Sequence, residues 1–135
     1  MDDVIISKVS SVQRCVRRAR EAFGAAQDFE NDFNLQDAAN LNVLRACELA
    51  IDLAAHLIRI RKLGVPVESR DAFLLLREAR LISEPLCKSL MSMVGFRNIV
   101  VHDYQEVDIN IVIDVIQNRL DDVLQFTDVV LDLTE

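Results

Sequence analysis

The chain has 135 residues, 51% hydrophobic and 27% charged, which is enough apolar material for one core and too much for a disordered segment. Three Gly and two Pro argue against a linker-rich or turn-dense all-β protein, and zero Trp with six Phe make the expected core aliphatic. The net charge of −7 is uneven: residues 1–107 carry 14 basic and 15 acidic groups, whereas residues 108–135 carry seven acids against Arg119 alone.

Two-residue alternation is almost absent, and apolar residues recur at three and four. Val4, Ile5, Val9, Val12, Cys15, Val16, Ala19 and Phe23 predict a long first helix ending near Gly24. The polar stretch 26–34, with two Phe, is expected to be a loop or irregular turn. A second long helix is predicted over 35–63, with Leu41, Leu44, Cys47, Leu49, Ile51, Ala54, Leu57 and Ile58 as its apolar positions and Gly64 then Pro66 as its stop signal. Ser69 is the expected N-cap of a third helix, and Ser83 that of a fourth, with Pro85 in its first turn. Asp108 is expected to cap a fifth, which carries Ile109, Ile111, Val112, Ile113, Val115 and Ile116 nearly all round. Short connections between long amphipathic helices predict a single all-α domain over residues 1–135, an up-and-down bundle of about five helices. A closing helix that is apolar on every side calls for a cover, and a homodimer supplies one.

Other features narrow the class. No uncharged run approaches the roughly 20 residues of a membrane span. The start MDDVIISKVS is acidic and lacks the apolar core of a signal peptide. Cys15, Cys47 and Cys87 are odd in number and at no metal spacing, so they read as buried apolar residues of a reducing compartment. A soluble, cytoplasmic protein without membrane contact is expected. Basic clusters at Arg14, Arg17, Arg18 and Arg20 and at Arg59, Arg61 and Lys62 suit either solvated helix faces or phosphate contacts, because local field rather than net charge decides. His56, within AIDLAAHLIRI, is expected to be a satisfied core or interface residue, and Met91 and Met93 to fill the core.

One segment concentrates chemistry: GFRNIVVHDY, residues 95–104. Ile99, Val100 and Val101 would anchor it while the polar residues point outward. Arg97 and His102, five apart, point about 140° away from each other on a regular helix. Asn98 and His102, four apart, share a face, so Asn98 is placed to hold the imidazole. Tyr104, the only Tyr, either leans over the site or packs on the bundle with its hydroxyl hydrogen-bonded. Neutral His can accept a proton from a ribose 2′-hydroxyl near pH 7, and Arg can bind a phosphodiester in two places and stabilise charge added in the transition state. No acid pair and no ligand set accompanies them, so no metal or other cofactor is implied. Arg and His at a helix end also serve as cap and salt-bridge groups, so spacing alone leaves both readings open.

An all-helical chain of this length with RNIVVHDY before its last helix resembles the HEPN superfamily. It is most similar to the HepT-type toxins of HEPN/MNT toxin–antitoxin pairs, which share an Arg, four to six residues, a His, one residue and a Tyr. The resemblance implies a homodimer with both motifs facing one cleft. It implies a metal-independent endoribonuclease with Arg97 and His102 catalytic and Asn98 and Tyr104 supporting. It also implies an MNT-type nucleotidyltransferase antitoxin as partner, able to add AMP to Tyr104. A different class stays open beside it: a non-catalytic HEPN module that binds nucleotide or accompanies a nucleotidyltransferase.

Overall fold

Asp2 starts the first helix. Its carboxylate accepts hydrogen bonds from the backbone N–H groups of Val4 (2.9 Å) and Ile5 (3.2 Å), two of the donors that every helix start leaves unpaired. The computed structural model describes residues 2–134. α1 (Asp3–Ala25) buries Ile5, Val9, Val12, Cys15, Val16, Ala19 and Ala22, the three-and-four spacing read from the sequence. Part of the expected loop is ordered as a 3₁₀ turn (Phe29–Asn31), because the ring of Phe29 packs edge-on against Phe23 with centroids 5.0 Å apart.

α2 (Phe33–Arg61) starts two residues before the predicted position, since Asp32 caps it by accepting from the N–H of Leu35 at 3.1 Å. It ends with Lys62 in the left-handed region, φ 54° and ψ 49°, so the lysine rather than Gly64 takes the turn position. Asp2 meets His56 and Lys8 faces Asp52, so α1 and α2 run antiparallel. α3 (Ser69–Glu78) corrects one expectation. Glu68, with an extended backbone, is the N-cap, and Asp71 accepts from its N–H at 2.9 Å. Ser69 is already helical and leaves its hydroxyl for another partner. α4 (Glu84–His102) starts as expected, with Ser83 Oγ accepting from Leu86 N–H at 3.3 Å and Pro85 in the first turn.

A 3₁₀ turn (Tyr104–Glu106) leads to α5 (Ile109–Asp114), capped by Asp108, which accepts from Asn110 N–H at 2.9 Å. A π-helical segment (Val115–Arg119) and α6 (Leu120–Thr134) follow without leaving the right-handed helical region, so all three form the one closing helix that was expected. Within the π segment the N–H of Leu120 donates five residues back, to Val115 O, and Arg20 of α1 donates to Ile116 O at 3.1 Å. The closing helix packs on α1, α2 and α4, while α3 packs on both α2 and α4, which also touch each other. Phe73 and Phe126, both buried, meet edge-to-face with centroids 5.5 Å apart where α3 meets α6. The result is the all-α bundle of about five helices that the periodicity predicts. The three cysteines are buried and free, as expected. Among the described residues no helix is long and apolar enough to cross a membrane.

Candidate active site

α4 keeps its regular hydrogen bonding to the end, with Asp103 N–H donating to Ile99 O at 2.8 Å. Arg97 and His102 therefore stay on different sides of the helix, and no contact joins them within one chain. Arg97 points toward α2 and α3. Its Nη2 donates to Ser69 Oγ at 3.1 Å, its Nη1 lies 3.9 Å from Glu48, and its Nε is buried without a partner. His102 points to solvent, and among the described residues nothing hydrogen-bonds it. Asn98 is exposed, and the expected Asn98–His102 hydrogen bond is not formed.

The apolar run 99–101 also departs from expectation. Only Val100 is buried, while Ile99 and Val101 are each 51% exposed. Three consecutive helical residues span about 200° of the helix surface, so they cannot all face one core. Ile99 and Val101 thus leave apolar surface beside the polar residues of the motif, and Ile111 of α5 is exposed to the same extent.

Tyr104 leans back onto α2 rather than over Arg97. Its hydroxyl donates to the Asp37 carboxylate and accepts from Asn40 Nδ2 at 3.3 Å, although the residue remains 43% exposed. Burial, and then the hydrogen bond to Asp37, push the phenol above its ordinary pKa of 10. Beneath Arg97, burial pushes the Cys47 thiol up to about 12, so it stays protonated and unreactive.

Two surface concavities divide these groups. One, of about 380 Å³, is lined by Ser69, Arg70, Arg97 and Asn98 with Val67, Glu68 and Val94. Arg70 lies across Gly95 of α4: a Cβ there would come within 2.6 Å of Arg70 Nη2, so a larger residue would make the end of the arginine side chain shift. The other, of about 290 Å³, is lined by Asp37, Asn40 and Tyr104 with Phe33 at its rim. Asp37, Asn40 and Arg70 were missed in the sequence. Asn40 had a signal, as a polar residue among the apolar α2 positions Ala39 and Val43; Arg70 had none. Among the described residues no three His, Cys, Asp or Glu side chains group as metal ligands.

A helical bundle whose fourth helix ends on Arg, four residues and His, with a Tyr two positions on in the next turn, is of the HEPN type. The chain belongs to the ribonuclease HepT-like family, whose model matches residues 12–130. It is 47% identical over 130 residues to the mRNA nuclease HepT of Shewanella oneidensis, covering 96% of this chain and 98% of that protein. Its structure matches that of the tri-AMPylated Shewanella oneidensis HEPN toxin in complex with MNT antitoxin, with a TM-score of 0.93 and 46% identity over 98% of this chain and 99% of the other. A toxin–antitoxin crystal structure with AMP-PNP matches with a TM-score of 0.92 and 45% identity, covering 97% of this chain and 99% of that one.

Proposed function

We propose that this protein is an mRNA-cleaving toxin of a toxin–antitoxin pair, acting in the cytoplasm as a metal-independent endoribonuclease. The observation that carries the reading is its 47% identity, over nearly its whole length, to a protein named for that activity, with the Arg97–His102–Tyr104 set complete. In the proposed mechanism neutral His102 takes the proton of a ribose 2′-hydroxyl as that oxygen attacks the adjacent phosphorus. The bond from phosphorus to the next nucleotide's 5′-oxygen breaks, that oxygen leaves with the electron pair and takes a proton from solvent, and a 2′,3′-cyclic phosphate remains. Arg97 binds the phosphate and stabilises its added charge, with Asn98 beside it as a further donor.

The separation of Arg97 and His102 on one helix bears on assembly. An active cleft then forms between two copies, and the half-exposed Ile99 and Val101 within the motif offer apolar surface for a symmetric dimer. The antitoxin is proposed to be an MNT-type nucleotidyltransferase that transfers AMP to Tyr104, placing a bulky anion where RNA phosphate would bind. Supporting this are the AMPylated relative and the partial exposure of this chain's only tyrosine.

The test is incubation of the purified protein with mRNA in EDTA. Cleavage by the wild type and none by His102→Ala is the expected result. Intact RNA with both proteins would favour the non-catalytic module instead.

A further inference from the structure

The hydroxyl of Tyr104 sits between two side chains of α2. Asp37 accepts its proton in a hydrogen bond, and Asn40, three residues on and on the same face, donates to its oxygen at 3.3 Å. We infer that Asp37 is the proton acceptor in the AMPylation of Tyr104, with Asn40 orienting the phenol oxygen, so that the modified protein supplies a catalytic carboxylate for its own modification. This rests on the reading that Tyr104 receives AMP.

The chemistry requires such a group. A phenol attacks phosphorus poorly until its proton leaves, and burial beside Asp37 raises the phenol pKa further, so phenolate is scarce at neutral pH. As Tyr104 Oη bonds to the α-phosphorus of ATP, the bond from that phosphorus to the bridging oxygen breaks. Pyrophosphate departs with the electron pair. The phenol proton passes to the Asp37 carboxylate, which is exposed and returns it to solvent. Asn40 cannot take the proton through the amide nitrogen that faces the phenol, but it fixes the oxygen so that a lone pair is left for phosphorus. Asn40 is itself 5% exposed and its Oδ1 is buried without a partner, so the side chain is held by its surroundings and not by solvent.

Within this chain the surroundings leave access and place no second base beside the hydroxyl. Concavities of about 290 and 500 Å³ flank the hydroxyl, and Asp37, Asn40 and Tyr104 line both. Apart from Tyr104, Asp37 is the one titratable side chain among the residues lining them. His102 and Asp103 precede Tyr104 in the chain, are exposed, and do not bond its hydroxyl.

The test uses the protein with ATP and the MNT-type nucleotidyltransferase proposed as its antitoxin, reading AMP on the Tyr104 peptide by mass spectrometry from pH 6 to 9. Asp37→Asn, nearly the same shape, is expected to slow the first AMP transfer by about 10²–10⁴-fold, the usual worth of a positioned base. Asp37→Glu should recover at least tenfold of that loss. The ratio of the Asn variant's rate to the wild-type rate should rise with pH, as hydroxide forms the phenolate that Asp37 no longer helps to form. Equal rates for wild type and Asp37→Asn, a Glu variant no faster than the Asn variant, or a slowed rate with a pH-independent ratio would each overturn the role. Wild-type protein that never gains AMP at Tyr104 would instead overturn the reading beneath it.

Discussion

His56 holds the residue that starts the first helix: its Nε2 lies 2.8 Å from Asp2 Oδ2, across the pair of long antiparallel helices. Arg59 Nη2 lies 3.1 Å from the other ring nitrogen, and since a guanidinium only donates, Nδ1 accepts and Nε2–H points to Asp2. The sequence reading of His56 as a satisfied residue is met by these two contacts.

The hydrogen bond from His56 is the main reason that the Asp2 carboxyl titrates below its ordinary 3.8. A carboxyl with a lowered folded pKa adds stability above its unfolded value and loses it as pH falls through the folded value. The melting temperature of Asp2→Ala should therefore lie below that of the wild type throughout the range above 3.8, and the two should converge in stronger acid. Thermal melts followed by circular dichroism from pH 7 to pH 2 give the comparison. A gap that is constant with pH would show that Asp2 contributes no ionised cap.

Phe126 is fully buried against Phe73, so its truncation removes both the burial and an edge-to-face pair. Phe126→Ala should cost about 3–5 kcal/mol. Denaturant titration should show a lowered midpoint with an unchanged slope. A loss below about 1 kcal/mol would mean that the neighbouring helices close over the gap.

His102 has no protein partner to lose, so His102→Ala should unfold within about 0.5 kcal/mol of the wild type. Its RNA cleavage should fall by about 10²–10⁴-fold. Arg97→Lys should be poor on both counts, because a point charge replaces neither the reach to Ser69 Oγ nor the planar fork that binds phosphate. Unfolding midpoints and initial cleavage rates, measured on the same preparations, separate the two variants.

Val101 is half exposed one residue before His102, on surface that the proposed dimer would cover. Val101→Asp places a charge on each side of that contact and should give monomers by light scattering at micromolar concentration, with cleavage lost alongside. A Val101→Asp protein that stays dimeric would place the interface elsewhere.

The helices were legible because their apolar residues repeat at three and four, and because Ser83 and Asp108 cap by short-range bonds that leave a local pattern; Asp2 and Asp32 cap the first two helices in the same way but were not read as caps. Ser69 misled for the same reason: a good capping residue lies beside Glu68, and the choice between them depends on Asp71 three residues further on. The motif was visible as a cluster of polar residues, but its geometry was not. Whether Tyr104 turns toward Arg97 or toward α2 depends on Asp37 and Asn40, more than 60 positions earlier, and no local pattern carries that pairing. The exposure of Ile99 and Val101 was hidden likewise, because a three-residue apolar run looks the same whether a core or a second molecule covers it.

The π segment of the closing helix has an evolutionary corollary. Wide turns of this kind hold one residue more than the α-helical path needs, so removing a single position between Val115 and Arg119 would restore ordinary hydrogen bonding while leaving Val112 and Phe126 on their buried faces. Elsewhere in the same helix a deletion would rotate everything beyond it by about 100° and turn apolar side chains into water. Chain-length variation among descendants of this gene should therefore collect at 115–119, with loss of the Arg20 contact to Ile116 as its structural mark.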